Sequence, residues 1–140
     1  MEYLHAMVRV TDLAGSLDFY INKLGLVETQ RMDSEAGRYT LVYLAASDDL
    51  DRATQSKSPL IELTYNWDKE IYTGGRNFGH LAFAVDDIYA TCDSLMKAGV
   101  TINRPPRDGH MGAPCAVGAF FLDVDGTLLD RGKGAEPRKS

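Results

Sequence analysis

The sequence predicts an α+β fold made of two βαβββ units in tandem, forming curved mixed sheets with helices on the outside. Three observations predict it. The chain repeats itself at an offset of 75 residues, which lays His5 on His80, Val10 on Val85, Asp12 on Asp87 and Leu13 on Ile88. Each copy opens on a β-patterned run that ends in a valine and gives way to an acidic residue and a helical pattern. Each helical pattern stops at a glycine, in Lys23-Leu24-Gly25-Leu26 and Lys97-Ala98-Gly99-Val100, and strand-like runs follow. A repeat of this kind decides the fold, because each copy is one supersecondary unit.

Taken in order, the first strand surrounds Leu4-His5-Ala6-Met7-Val8. A helix is expected over 12–24, since Leu13, Leu17, Tyr20 and Leu24 share a helical stripe and Thr11 or Asp12 can cap it. Strands are expected near 26–32, 38–46 and 59–66, with a polar loop over 47–58 between the last two. The stretch Asp68 to Asn77, carrying Gly74-Gly75, joins the copies. The second copy predicts a strand at 79–85 and a helix at 87–98, with Ile88, Cys92 and Leu95 at helical spacing. A short strand from Thr101 is broken by Pro105-Pro106. A closing hairpin joins Ala116–Leu122 to Thr127–Arg131. The organisation is one domain over 1–131, with unit one at about 1–67 and unit two at about 77–131. Residues 132–140 have too little apolar content to pack and form a disordered tail.

Composition narrows the functions. A chain of 140 residues can bury one core. A net charge of −5 without a dense Lys/Arg stripe argues against nucleic acid. No apolar run approaches the ~18 residues needed to cross a bilayer. Cys92 and Cys115 are the two cysteines, in no disulfide-like or metal-like spacing, and no signal peptide precedes the first strand. A reducing, cytoplasmic setting is expected.

Glu62 is the anomaly that points to chemistry. It interrupts Leu60-Ile61-Glu62-Leu63-Thr64-Tyr65-Asn66-Trp67 where the β pattern wants an inward apolar side chain. His5 and His80 sit in similar apolar company on repeat-related strands. Ionised groups in half-buried strands are costly unless paired or bound to a metal. Asp130, in Leu128-Leu129-Asp130, is the counterpart of Glu62 on the last strand of unit two. Two imidazoles and two carboxylates suit an octahedral divalent cation with room for waters. Taken singly, each is more ordinarily a satisfied core or surface residue. As a set on symmetry-related strands they predict a metal site.

These stretches resemble the glyoxalase I (lactoylglutathione lyase) family of the vicinal-oxygen-chelate superfamily. The resemblance rests on Leu4-His5-Ala6-Met7-Val8-Arg9-Val10, Ser16-Leu17-Asp18-Phe19-Tyr20, Ile61 to Trp67, Arg76-Asn77-Phe78-Gly79-His80 and Asp125-Gly126. It implies the glyoxalase fold, with His5, Glu62 and His80 as metal ligands and Asp130 at the fourth ligand position. It further implies that Arg9, Asn66 and Arg76 hold glutathione, and arginine forks do suit carboxylates. The implied reaction is conversion of the methylglyoxal–glutathione hemithioacetal to S-lactoylglutathione. Asp130 is then the catalytic base and Glu62 its partner on the opposite face of the substrate. A homodimer with shared sites is implied, binding no nucleic acid and no membrane. Short members of the family favour Ni²⁺ or Co²⁺, and the all-N/O ligand set also admits Zn²⁺.

The C-terminal segment departs from the pattern. The family carries glutamate where this chain has Asp130, and Met111 to Val117 is unlike it. Ala119 to Thr127 also reads as the first motif of haloacid-dehalogenase-type phosphatases, with Asp123 as nucleophile and Asp125 as acid/base. Too little chain follows for the rest of that machinery. Two further alternatives are another enzyme of the superfamily, a dioxygenase or epimerase, and a weakly active or metal-free binding protein on the same fold. A dioxygenase triad would not need Glu62, and a sequestering protein would not need Arg9, Asn66 and Arg76.

Overall fold

The computed structural model describes residues 1–72, 79–108, 116–117, 119–122 and 128–131. The chain divides into two compact units, Met1–Thr73 and Gly74–Ser140. The first contains β1 (His5–Arg9), α1 (Leu13–Leu17), β2 (Val27–Ser34), β3 (Tyr39–Ala45), α2 (Leu50–Ser56) and β4 (Leu60–Asn66). Its sheet runs β1-β4-β3-β2, so the first strand lies beside the last, and that pair is parallel. The second contains β5 (Leu81–Ala82), α3 (Ile88–Lys97), β6 (Ile102–Arg104), β7 (Arg107–Asp108), β8 (Ala116–Val117), β9 (Ala119–Leu122) and β10 (Leu128–Arg131). Its sheet runs β5-β10-β9-β6, with β5 again parallel to β10. Both units are therefore βαβββ in topology, and the chain has the α+β fold expected of it.

The repeat is visible in the helix boundaries. Asp12 caps α1 by accepting from the Gly15 amide at 3.0 Å. Asp87 caps α3 by accepting from Tyr89 and Ala90 at 3.0 and 3.1 Å. Such a cap is worth ~1 kcal/mol, because it satisfies amides that have no intrahelical partner. Both helices exit through a glycine in the left-handed region, Gly25 at φ 85 and Gly99 at φ 86. A side chain at either position would be strained.

Helix α1 departs from the expected uniform helix over 12–24. It is α-helical only to Leu17, and Asp18–Lys23 continues as a π-helix, with the Leu24 amide bonded to the Phe19 carbonyl at 2.9 Å. The wider turn rotates the buried stripe. Tyr20 and Leu24 are buried as expected, but Ser16 and Phe19 join them while Leu13 and Leu17 are only partly covered. On one face of the sheet Val8, Val10, Val42, Leu44 and Leu63 are buried. Burying each such side chain stabilises by roughly 1.5–3 kcal/mol.

Three more expectations are corrected. The segment 47–58 is not a loop, since a 3-10 turn at Ser47–Asp49 leads into α2. Ala53, against Ala45 and Leu60 and beside the half-buried Leu50 and Tyr43, supplies the packing that its polar neighbours conceal in the sequence. The strand expected over 79–85 is only Leu81–Ala82, leaving His80 just before it. The single strand expected over 116–122 is two, because β8 pairs with β7 whereas β9 pairs with β10 and β6. In unit two Ile88 and Cys92 form a core with Val85, Tyr89 and Ile102. No helix among the described residues is long and apolar enough to cross a membrane. The expected tail, 132–140, lies outside the described residues, as do Cys115, Asp123 and Asp125.

Candidate functional site

The sheet of unit one has two faces of opposite character, and the strand period assigns each residue to one of them. Val8, Val42 and Leu63 share one face and are buried. His5, Met7 and Arg9 on β1 share the other face with Glu62 and Thr64 on β4 and Leu41 and Tyr43 on β3. All of these are half-buried or exposed. Glu62 is thus not an intruder in the core. It stands on the open face, which explains how the strand tolerates it, and α2 closes one end of that face through Ala53, Ala45 and Leu60.

On this face His5 and Glu62 converge. His5 Nε2 lies 2.7 Å from Glu62 Oε2, with the two side chains 31% and 12% exposed. Thr64 donates to the other carboxylate oxygen at 3.4 Å. The Tyr43 ring meets the imidazole edge-on at 5.5 Å. Burial raises the Tyr43 phenol above its ordinary pKa, and the negative charge of Glu62 raises it further, followed by Tyr39. Tyr43 therefore stays neutral beside the pair. Sequence reasoning missed Tyr43 and Thr64. The signal was available, since both share the strand parity of Glu62, but tyrosine and threonine are ordinary strand residues.

The remaining site residues are distributed as follows. Arg9 is exposed on the open face, opposite Thr64 in register. Asn66 ends β4, and its amide nitrogen donates to the Tyr72 hydroxyl at 3.2 Å and to Glu70 Oε1 at 3.4 Å. Arg76 lies outside the described residues. His80 belongs to unit two and is exposed immediately before β5. Asp130 is on β10, opposite Ala82, and its carboxylate lies outside the described part of the structure. The register carries the repeat through: Glu62 pairs with Met7, two residues past His5, and Asp130 pairs with Ala82, two residues past His80.

A donor set of one imidazole nitrogen and one carboxylate oxygen, converging head-on, fits a divalent metal of the nickel, cobalt and zinc type. The two atoms lie 2.7 Å apart, so that their lone pairs would face the same cation. Among the described residues no group of three His, Cys, Asp or Glu gathers at one point.

A βαβββ repeat with a His/Glu pair on its open face defines a class. The chain matches the Glyoxalase/Bleomycin resistance protein/Dioxygenase superfamily over residues 3–130 and belongs to it. It is 40% identical over 130 residues to the lactoylglutathione lyase of Neisseria meningitidis, covering 93% of this chain and 88% of that one. It is 39% identical over 130 residues to the probable lactoylglutathione lyase of Synechocystis sp., covering 93% of each. Among solved structures, glyoxalase I from Zea mays superposes with a TM-score of 0.82 at 29% identity, over 96% of this chain. This chain spans 45% of the maize protein. The trypanothione-dependent glyoxalase I of Leishmania major superposes with a TM-score of 0.75 at 28% identity, over 98% of this chain and 86% of that one.

Proposed function

We propose that this protein is a lactoylglutathione lyase, converting the hemithioacetal of methylglyoxal and glutathione into S-lactoylglutathione. The reading is carried by the 2.7 Å approach of His5 to Glu62 on the open face of the sheet, in a chain so similar to enzymes of that name. The family implies a divalent metal and a glutathione substrate. His5, Glu62, His80 and Asp130 are the proposed ligands. Ni²⁺ or Co²⁺ is favoured and Zn²⁺ is compatible, because every donor is nitrogen or oxygen.

When bound, the metal supplies Lewis acidity toward the substrate oxygens and stabilises negative charge developing on them. Asp130 removes the proton from C1, and that proton is returned to C2 to give the lactoyl thioester. Glu62 stands on the opposite face of the substrate. Thr64, by donating to one oxygen of Glu62, leaves the other aimed at His5. Arg9, Asn66 and Arg76 hold the carboxylates and amides of glutathione, which fixes the reacting carbons relative to the carboxylates.

The working form is a homodimer with two shared sites, His5 and Glu62 coming from one chain and His80 and Asp130 from its partner. The cytoplasm, rich in glutathione and reducing, is the proposed compartment. Metal analysis tests the reading. The purified protein is expected to hold a divalent metal, and chelation is expected to abolish turnover until metal is restored. Full turnover in the presence of excess chelator contradicts it.

A further inference from the structure

Tyr43 stands at a junction of three features of unit one: the His5 imidazole, an irregularity in β2, and helix α2. Its ring meets the imidazole with 5.5 Å between centroids and 72° between planes. In register Tyr43 lies opposite Glu62 on one side of β4, while His5 lies opposite Leu60 on the other side. The two rings therefore reach each other across the middle strand, on the face that carries Glu62.

This contact constrains the imidazole differently from Glu62. Ring systems with centroids roughly 4.5–7 Å apart favour edge-to-face geometry, because the electron-poor rim of one attracts the electron-rich face of the other. A neighbour held in that geometry resists rotation of the imidazole about its own bond to Cβ. Glu62 resists the same rotation, but through Nε2, the atom aimed at its carboxylate. Ligation of a metal by Nε2 requires that nitrogen to be unprotonated, which removes its hydrogen bond to Glu62. The Tyr43 contact uses the ring and not that lone pair, so it is compatible with ligation.

Tyr43 is itself held from two sides. Strand β2 carries a surplus residue, Thr29, between Glu28, which pairs with Leu44, and Gln30, which pairs with Tyr43. Thr29 Oγ1 donates to the Tyr43 carbonyl at 3.3 Å. Bulges of this kind increase local twist and re-aim side chains, and they are common beside active sites. From the other side, Tyr43 and Leu50 pack against the cluster of Ala45, Ala53 and Leu60, in which Ala53 is supplied by α2. A bulge and a helix thus fix one tyrosine, and that tyrosine meets one imidazole.

We propose that Tyr43 is a positioning residue for His5, orienting the imidazole for the metal through its ring, with Thr29 and α2 holding Tyr43 in place. The proposal rests on the metal-ligand reading of His5 given above. It gives that ligand its own support, as Thr64 supports Glu62. Residues that orient a metal ligand commonly change metal affinity about 10–100-fold when replaced.

Co²⁺ alone is the probe, read by competition against a chelator and by its visible absorption, with Tm as the control for folding. Tyr43→Leu keeps apolar volume and removes the ring. It is expected to weaken Co²⁺ about 10–100-fold and to shift the absorption bands. Tyr43→Phe keeps the ring and is expected to bind within about twofold of the parent, with the parent's spectrum. Thr29→Val keeps the shape of the brace and removes its hydrogen bond, and is expected to weaken Co²⁺ about threefold. Tyr43→Leu with the parent's affinity and spectrum overturns the proposal. Tyr43→Phe falling as far as Tyr43→Leu also overturns it, by assigning the effect to the hydroxyl. Should Tyr43→Leu not fold, unchanged Co²⁺ affinity in Thr29→Val overturns the proposal instead. A parent protein that binds Co²⁺ no more tightly than His5→Ala removes the metal reading itself, and this proposal with it.

Discussion

His5 Nε2 and Glu62 Oε2 lie 2.7 Å apart although 57 positions separate them in the chain, because β1 and β4 are parallel neighbours. The parallel pair is what makes the site. His5 begins its strand opposite Leu60, and Glu62 sits two residues on, within side-chain reach on the same face. Removing the carboxylate without changing its shape therefore tests chemistry with little effect on folding. Glu62→Gln is expected to lower kcat/KM by on the order of 10²-fold or more while leaving Tm within a few degrees, since Glu62 faces away from the core. A large fall in Tm with turnover intact would mean that the carboxylate is structural.

Asp130 tests a departure from the family pattern. If it stands where a glutamate usually does, its carboxylate is short by one methylene, and proton transfer is sensitive to about 1 Å of misplacement. Asp130→Glu is then expected to raise kcat by about tenfold or more, and Asp130→Asn to abolish turnover in a folded protein. An Asp130→Glu enzyme indistinguishable from the parent would remove Asp130 from the site.

The proposed shared sites make a prediction that no monomer can meet. His5→Ala and His80→Ala homodimers are each expected to be inactive. Mixed and allowed to exchange subunits, they should regain activity, since one of the two sites in each heterodimer then has both histidines. A fully active monomer in sedimentation at micromolar concentration contradicts the dimer.

Binding and chemistry separate at Arg76. Arg76→Ala is expected to raise KM with little change in kcat, as for binding energy equal in ground and transition states. A fall in kcat at constant KM would assign the residue to the reaction instead.

The core carries its own expectation. Leu63 is fully buried, one residue from Glu62 and on the opposite face of the sheet. Leu63→Ala should cost about 2–5 kcal/mol of stability, read from denaturant unfolding. A loss below ~1 kcal/mol would mean that the site's scaffold is looser than its packing indicates.

How much of this was legible in the sequence depended on how local the signal was. The repeat was legible because caps and exits are local: Asp12 with Gly25 and Asp87 with Gly99 each announce a helix within a few positions. His5 and Glu62 were legible because titratable groups in apolar strands break a period-2 pattern. The face on which Glu62 stands was not, since the sequence shows alternation but not which side the helix covers. Helix α2 was hidden because its burial rests on Leu50 and Ala53 alone amid Asp, Arg, Thr and Gln. The π-helical turn of α1 was hidden because a 3.6-residue period assumes uniform winding. Tyr43 gave no alarm, since a tyrosine in a strand is ordinary until an imidazole lies against it.

The most direct test of the account is the rate of thioester formation from preformed methylglyoxal–glutathione hemithioacetal. The measurement compares the metal-reconstituted protein with its Glu62→Gln variant at equal metal content. The account predicts S-lactoylglutathione formed well above the uncatalysed rate by the parent protein and near that rate by the variant. A folded, metal-loaded parent protein that forms no thioester above background, or a Glu62→Gln variant as fast as the parent, contradicts it.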